Sequence, residues 1–146
     1  MKAACRFAIA TLVAGVSLAA FPQSPKQRDA ENLARFQRYA SPPQESMHYF
    51  RIDKFQYLGR SAQGEDAIAL WTGVNRVYLL ALESPCINLE YANAIALTST
   101  SGNVNARMDY VKYDHGRQCR IETIQNVDYK AVRAGMKSAQ PAEGGT

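Results

Sequence analysis

Two aspartates are the residues in this sequence that come nearest to a catalytic pattern. Asp53 and Asp109 each lie two residues from an arginine, Arg51 and Arg107, inside segments with strand-like alternation. Two carboxylates that meet across a sheet can perform general acid/base catalysis, with neighbouring Arg or Tyr side chains assisting them. Arg and Asp on one face of a strand more often form ion pairs, so we favour the structural interpretation of both aspartates.

Aromatic and basic side chains on the predicted strands are the candidates for a binding groove. We select Trp71, Tyr78 and Arg107. Aromatic residues at strand spacing more often fill the core, because burying their large apolar area stabilises the fold. Core packing is therefore the competing prediction for Trp71 and Tyr78.

Several familiar chemistries lack their motifs in this sequence. It contains no phosphate-binding glycine loop, no H-E-x-x-H and no G-x-S-x-G. Its two histidines, His48 and His115, are expected at the start of a strand and in a turn, where a solvated side chain is commoner than a ligand. We therefore predict neither metal nor cofactor. A non-enzymatic binding role is favoured over an unrecognised enzyme that uses Asp53 or Asp109.

The first twenty residues have the pattern of a secretory signal peptide. Lys2 and Arg6 supply positive charge before an apolar run over residues 7–20. Within this run, Ser17-Leu18-Ala19 matches the small-x-small cleavage pattern. The run is shorter than the roughly 20 apolar residues that span a bilayer, so an uncleaved anchor is the less favoured alternative. We predict cleavage near Ala19 or Ala20, a periplasmic or secreted location, and no stable transmembrane segment afterwards.

Removal of the leader leaves two cysteines, Cys86 and Cys119. An even number of cysteines in an oxidising compartment favours a disulfide. The alternatives are a redox pair, for which the close C-x-x-C spacing is absent, and a zinc site, for which nearby histidine ligands are absent. We predict a structural Cys86–Cys119 bridge.

The charge of the chain gives little support for nucleic-acid binding. Without Lys2 and Arg6 the chain keeps 15 basic and 13 acidic side chains, a net charge of +2. The basic residues are scattered along the sequence, whereas nucleic-acid-binding domains usually concentrate them. We expect an envelope protein or a small ligand as the partner, and no nucleic acid.

Hydrophobic periodicity predicts the elements that position these residues. Helical spacing marks residues 29–40, with Asp29 as the cap and Leu33 and Phe36 buried, and residues 128–137. Strand patterns mark residues 48–58, 67–72, 76–83, 94–98, 104–113 and 118–125, joined mostly by short turns. Short connections favour antiparallel pairing, because parallel strands need long crossovers.

The predicted fold class is therefore α+β: a mainly antiparallel sheet of about six strands, an N-terminal and a C-terminal helix, and one disulfide. The chain is divided into a signal peptide (1–20), a linker with a short helix (21–46), a single α+β domain (47–138) and a polar tail (139–146). The first helix either packs on the domain or sits loosely before it.

Several segments in a specific order resemble a known family. They are R-I-D-K-F-Q-Y-L-G-R (51–60), A-L-W-T-G-V-N-R-V-Y-L-L (69–80), P-C-I-N-L (85–89) and C-R-I-E-T-I-Q-N-V-D-Y-K (119–130). Together they resemble a proteobacterial family of small exported proteins that is classed only as a domain of unknown function with two characteristic cysteines. The resemblance implies export and the cysteine pair. It implies no activity, substrate or catalytic residue.

The leader assignment predicts the mature N-terminus. Intact-mass measurement on a periplasmic extract should give a chain that begins at Ala20 or Phe21, because signal peptidase cleaves after the small-x-small pattern. Retention of residue 1 in the exported material would contradict the assignment.

Overall fold

The computed structural model describes residues 24–99 and 101–139. The predicted signal peptide and nearly all of the predicted polar tail lie outside the described residues. The elements in the described part are, in chain order, α1 (Pro25–Arg38), β1 (Ser46–His48), β2 (Lys54–Arg60), β3 (Asp66–Gly73), β4 (Arg76–Leu82), a 3₁₀ turn (Leu89–Tyr91), β5 (Ile95–Leu97), β6 (Asn103–Asn105), β7 (Tyr110–Tyr113), β8 (Arg117–Val127) and α2 (Tyr129–Ala139).

Six of the strands form one curled antiparallel sheet in the order β2-β3-β4-β8-β7-β5. The two short strands β1 and β6 pair with each other in a separate ribbon. With a helix at each end of the described chain and one disulfide, the predicted α+β fold class is confirmed.

The two central strands β3 and β4 send alternate side chains into two separate cores. Ile68 and Leu70 of β3 belong to the larger core, which also contains the disulfide. Ala69 and Trp71 belong to the second core, under the helices. Burial on both faces explains the near-continuous apolar sequence of these strands.

Both helices cover the second core. Leu33 and Phe36 of α1 and Val132 of α2 are buried there, so α1 packs on the sheet. Helix α1 starts at Pro25, earlier than predicted, because Ser24 accepts a hydrogen bond from the N–H of Gln27 while the Gln27 side chain accepts one from the N–H of Ser24. This capping box satisfies two donors at the helix start, so the predicted cap at Asp29 is wrong.

The predicted strand at residues 48–58 is two strands. Residues Ser46–His48 pair with β6, whereas Lys54–Arg60 pair with β3. The chain changes its pairing partner between them, so residues 49–53 run outside a strand. Alternation of apolar side chains continues through this change and therefore does not reveal it.

The predicted hairpin of residues 94–98 with 104–113 is also divided. Residues Asn103–Asn105 pair with β1, and only Tyr110–Tyr113 pair with β5. A tight turn over residues 105–109 redirects the chain between these two pairings. That turn is central to the candidate site described below.

The disulfide joins Cys86, just after β4, to Cys119 on β8, with Cα atoms 5.9 Å apart. Both cysteines are buried in the larger core. The bond closes a loop of 33 residues. It holds β8, which follows β5, β6 and β7 in the chain, against the segment that precedes β5.

Removal of the disulfide should lower stability without changing the strands. The double variant Cys86→Ser with Cys119→Ser should lose about 3–4 kcal/mol, because the unfolded chain regains the entropy that a 33-residue loop removes. Thermal unfolding followed by circular dichroism measures the loss, and the wild type in reductant is the matched control. An unchanged melting temperature in both samples would contradict a stabilising bond.

Candidate functional site

Asp109 closes a tight turn that precedes β7. Its Oδ1 accepts a hydrogen bond from the hydroxyl of Thr98 at 2.8 Å, and its Oδ2 accepts one from the N–H of Asn105 at 2.8 Å. Its own N–H donates to the carbonyl of Asn105 at 3.0 Å. Both carboxylate oxygens therefore fix the turn over residues 105–109.

Arg107 lies at the tip of this turn in a strained backbone conformation. Its φ of 64° is in the left-handed region, which costs a non-glycine residue about 1–2 kcal/mol. Its N–H donates to the carbonyl of Ile121 on β8 at 2.6 Å, which anchors the tip to the sheet. Such strain persists only where surrounding contacts impose it, and here the bonds of Asp109 and Ile121 do so.

The turn forms one wall of a cleft of about 440 Å³, which we call the Arg107 cleft. Its volume falls in the range of small-molecule sites. Its lining residues are Pro43, Gln44, Glu45, Asn105, Ala106, Arg107, Met108, Glu122 and Thr123. Met108 is 74% exposed, so an apolar group is available in the same lining.

Only some of the charged side chains that line the cleft form salt bridges with described residues. Arg120 holds Glu122 through its Nε and Nη2 atoms, each at 2.8 Å, and also pairs with Glu83 at 3.4 Å, so Glu122 already has a cationic partner. None of the salt bridges within residues 24–99 and 101–139 involves Arg107 or Glu45. The cleft thus presents one guanidinium and one carboxylate that are not neutralised by a described side chain.

The structure places Asp53 away from Asp109. Asp53 precedes β2 and pairs with Arg51 at 2.7 Å, and its N–H donates to the carbonyl of Trp71. The turn of Asp109 is bonded to β8, and β3 and β4 lie between β2 and β8 in the sheet. Arg51 and Asp53 form the expected ion pair, whereas Asp109 uses its oxygens for Thr98 and Asn105.

The two aromatic candidates lie in different cores. Trp71 is in the core under the helices, with its ring edge-on to Phe36 at 5.9 Å and to Tyr129 at 5.3 Å between centroids. Lys54 places its Nζ 4.1 Å from the Trp71 ring centroid. Tyr78 is buried in the larger core on the other side of the sheet. Of the three binding candidates, Arg107 alone lines the cleft.

The most buried charged residue of the described chain is Asp66, which is 1% exposed and was not predicted from the sequence. Its Oδ1 accepts a hydrogen bond from Tyr57 at 2.7 Å. Its Oδ2 accepts bonds from the hydroxyl of Ser84 and from the N–H of Cys86, the latter at 2.9 Å, and Arg60 approaches it at 3.5 Å. We call this group the Asp66 network.

The partners of Asp66 keep it ionised. Burial alone would raise its pKa, but the bonds from Ser84, Cys86 and Tyr57 and the charge of Arg60 outweigh burial and lower it. Burial, together with the hydrogen bond to Asp66, raises the pKa of Tyr57 well above its usual range. The network therefore holds one carboxylate and one neutral phenol, and both serve the fold.

A single sequence feature points to Asp66: a charged residue directly before the apolar run A-I-A-L-W. The sequence pattern does not indicate which residues contact Asp66. Ser84 and Cys86 reach it because Asp66 pairs with Leu82 across the β3–β4 hairpin, and Tyr57 comes from β2 on the other side.

A second cleft, of about 430 Å³, lies between the first turns of α1 and strand β2. Tyr57 and Arg60 line it, but both already interact with Asp66. Gly59 there adopts a φ of +93°, and a Cβ at this position would lie 3.1 Å from the Cβ of Asp29. The residues of this region pack α1 against the sheet, so the Arg107 cleft is the better candidate site.

Within residues 24–99 and 101–139, no three His, Cys, Asp or Glu side chains are grouped as they would be around a metal ion. None of the helices in that part of the chain has the length and hydropathy needed to cross a membrane. His48 contacts Asn103 through Nδ1 at 2.9 Å, and His115 is in the β7–β8 turn.

Comparison with known proteins gives one match. A family model described as "Family of unknown function (DUF6491)" matches residues 4–143. No curated protein and no solved structure matches the chain. The match supports the resemblance to a family of unknown function, while bacterial source and export stay predictions.

The Asp66 network predicts a pH dependence of stability. Because its folded-state pKa is lowered, Asp66 stabilises the fold above its ordinary pKa of about 3.9, and this contribution is lost as the pH falls through the folded-state value. Asp66→Asn should cost about 2–4 kcal/mol at pH 7, since it weakens several charge-assisted hydrogen bonds. Urea unfolding should show this difference shrinking as the pH is lowered below about 4.

Asp53→Asn is the matched control for this experiment. It removes only an ion pair with the exposed Arg51 and should cost less than about 1 kcal/mol at any pH. A cost for Asp66→Asn that equals that of the control, or that stays constant down to low pH, would show that the network does not contribute as described.

Proposed function

We propose that this chain, which belongs to a family of unknown function, DUF6491, is an exported, non-enzymatic binding domain. Its Arg107 cleft holds a small ligand that carries a carboxylate group. The observation that carries this proposal is a guanidinium held by a strained backbone in a cleft of small-molecule size, with no salt bridge from a described side chain.

The chemistry of the cleft supports a carboxylate ligand. The planar guanidinium of Arg107 matches a carboxylate with two parallel hydrogen bonds. The Asn105 amide and the Thr123 hydroxyl add uncharged donors in the same lining. Glu45 provides an acceptor for an amine or hydroxyl of the ligand, and Met108 provides an apolar contact. A small amino or hydroxy acid fits this set of groups.

Two of the carboxylates near the cleft are already engaged by other groups and therefore do not favour catalysis. Both oxygens of Asp109 are committed to the turn, and Glu122 is held by Arg120. A general base needs a free oxygen within hydrogen-bond reach of its substrate. An enzyme that combines Asp53 with Asp109 gains no support from their positions, because β3 and β4 lie between β2, which Asp53 precedes, and β8, to which the turn of Asp109 is bonded.

The disulfide supports export. Disulfides persist in secreted and periplasmic proteins and are rare in the cytosol, where thiols are kept reduced. Cys86 and Cys119 form a buried bond in the core, which is consistent with the leader pattern in the first twenty residues. Export places the cleft where it meets solutes or components of the cell envelope.

The proposal is tested by titration with small acids. The ¹⁵N-labelled protein is titrated with a panel of amino acids, hydroxy acids and dipeptides, each beside its uncharged amide. We expect shifts of the amide signals of residues 105–108, and binding of at least one acid about tenfold or more tighter than that of its amide, as loss of a charged hydrogen bond implies.

The variant Arg107→Asn separates binding from folding. Asn tolerates the left-handed conformation better than Arg, so the melting temperature should stay unchanged or rise by a few degrees. Binding of the acid should fall about tenfold or more, because the charged hydrogen bonds are lost. Arg76→Gln removes an exposed arginine outside the cleft and should leave binding unchanged. Equal affinity in wild type and Arg107→Asn, or signal changes confined to other regions, would overturn the proposal.

A further inference from the structure

The excess positive charge of the described chain lies on its two helices. Residues 24–39 and 128–139 carry seven Lys or Arg and three Asp or Glu side chains, a net charge of +4. The remaining described residues, 40–99 and 101–127, carry eight basic and nine acidic side chains, a net charge of −1. Basic residues that are scattered in the sequence are collected on one side because α1 and α2 pack on the same face of the sheet.

Helix α2 presents its basic residues together. Lys130, Arg133 and Lys137 lie at helical spacing and line one shallow depression with Ala134. The opposite side of the helix packs on the sheet through the buried Val132. None of the salt bridges found in the described part of the chain involves these three basic side chains.

Helix α1 carries further basic residues. Arg35 and Arg38 line a crease between the two helices, against Gly135 of α2. Glu31 is the acidic side chain in this crease. We call the outer side of α1 and α2, with Arg35, Arg38 and the three basic residues of α2, the helix face.

We propose that the helix face docks on a lipid bilayer that contains anionic phospholipids. The charge of the helix face complements such a surface, and each Lys or Arg held close to it strengthens binding about fivefold. This inference goes beyond the proposed function, because it uses neither the Arg107 cleft nor the compartment.

The composition of the helix face favours a bilayer over a nucleic acid. The exposed large apolar side chains of the described residues are Phe50, Val74, Ile87, Tyr91 and Met108, all outside both helices. The helix face thus offers no exposed aromatic ring on which a base would stack. Its charges are spread over two helices, which suits a flat surface of uniform negative charge.

Co-sedimentation with vesicles tests the proposal on the purified protein. The protein should bind vesicles that mix phosphatidylglycerol with phosphatidylcholine at low ionic strength, and should not bind phosphatidylcholine alone. Binding should be lost at about 1 M salt, where the Debye length falls to about 3 Å.

Two matched double variants locate the surface. Lys130→Gln with Arg133→Gln should weaken binding to the anionic vesicles about 25-fold, the product of two fivefold losses. Lys112→Gln with Arg117→Gln removes the same charge from exposed positions on β7 and β8 and should bind as the wild type does. Circular dichroism confirms that both variants are folded.

Three outcomes would overturn the inference: no binding to the anionic vesicles, an equal loss in both double variants, or tighter binding of a DNA duplex than of the vesicles at the same ionic strength. Arg107→Asn should bind vesicles as the wild type does, so failure of the cleft proposal and failure of the docking proposal are distinguishable.

Discussion

The chain around Cys86 ties several strands of the sheet together. Its sulfur is bonded to Cys119 on β8, and its N–H donates to Asp66 on β3, which also accepts from Tyr57 on β2. Loss of any partner of a carboxylate this buried leaves a charge that is costly to keep out of water. The chain around Cys86 is also connected to the candidate site, because the tip of the Arg107 turn is hydrogen-bonded to β8 two residues after Cys119.

Carboxylates and guanidiniums have different uses in this domain. Asp66 holds strands together, and Asp109 holds a turn in the conformation that strains Arg107. A carboxylate accepts several N–H and O–H donors at once, which suits it to fixing backbone that has left regular pairing. Arg107, by contrast, is exposed and lines the same cleft as Glu45. A turn that keeps a strained conformation at a cost in stability is consistent with a role in recognition.

The strand predictions failed where the chain changes partners. Apolar alternation predicted single strands at residues 48–58 and 104–113, and both are divided between the small ribbon and the large sheet. Alternation reports which side of a strand is buried, and it does not report which strand is the neighbour. The start of α1 at Pro25 depends on the Ser24–Gln27 capping box, a local signal that competes with Asp29 as the cap.

By itself the sequence determined the α+β class, the β3–β4 hairpin, the apolar stripes of both helices and the cysteine pair, because each depends on local periodicity or on counting. Only the tertiary structure decided that Asp53 and Asp109 lie apart, that Trp71 and Tyr78 enter opposite cores, and that Arg107 lines a cleft. It also gathered the basic residues of α1 and α2 on one face. Each of these arrangements involves residues that are distant in the chain. Strand pairing and helix packing bring such residues together, and local sequence patterns do not encode either of them.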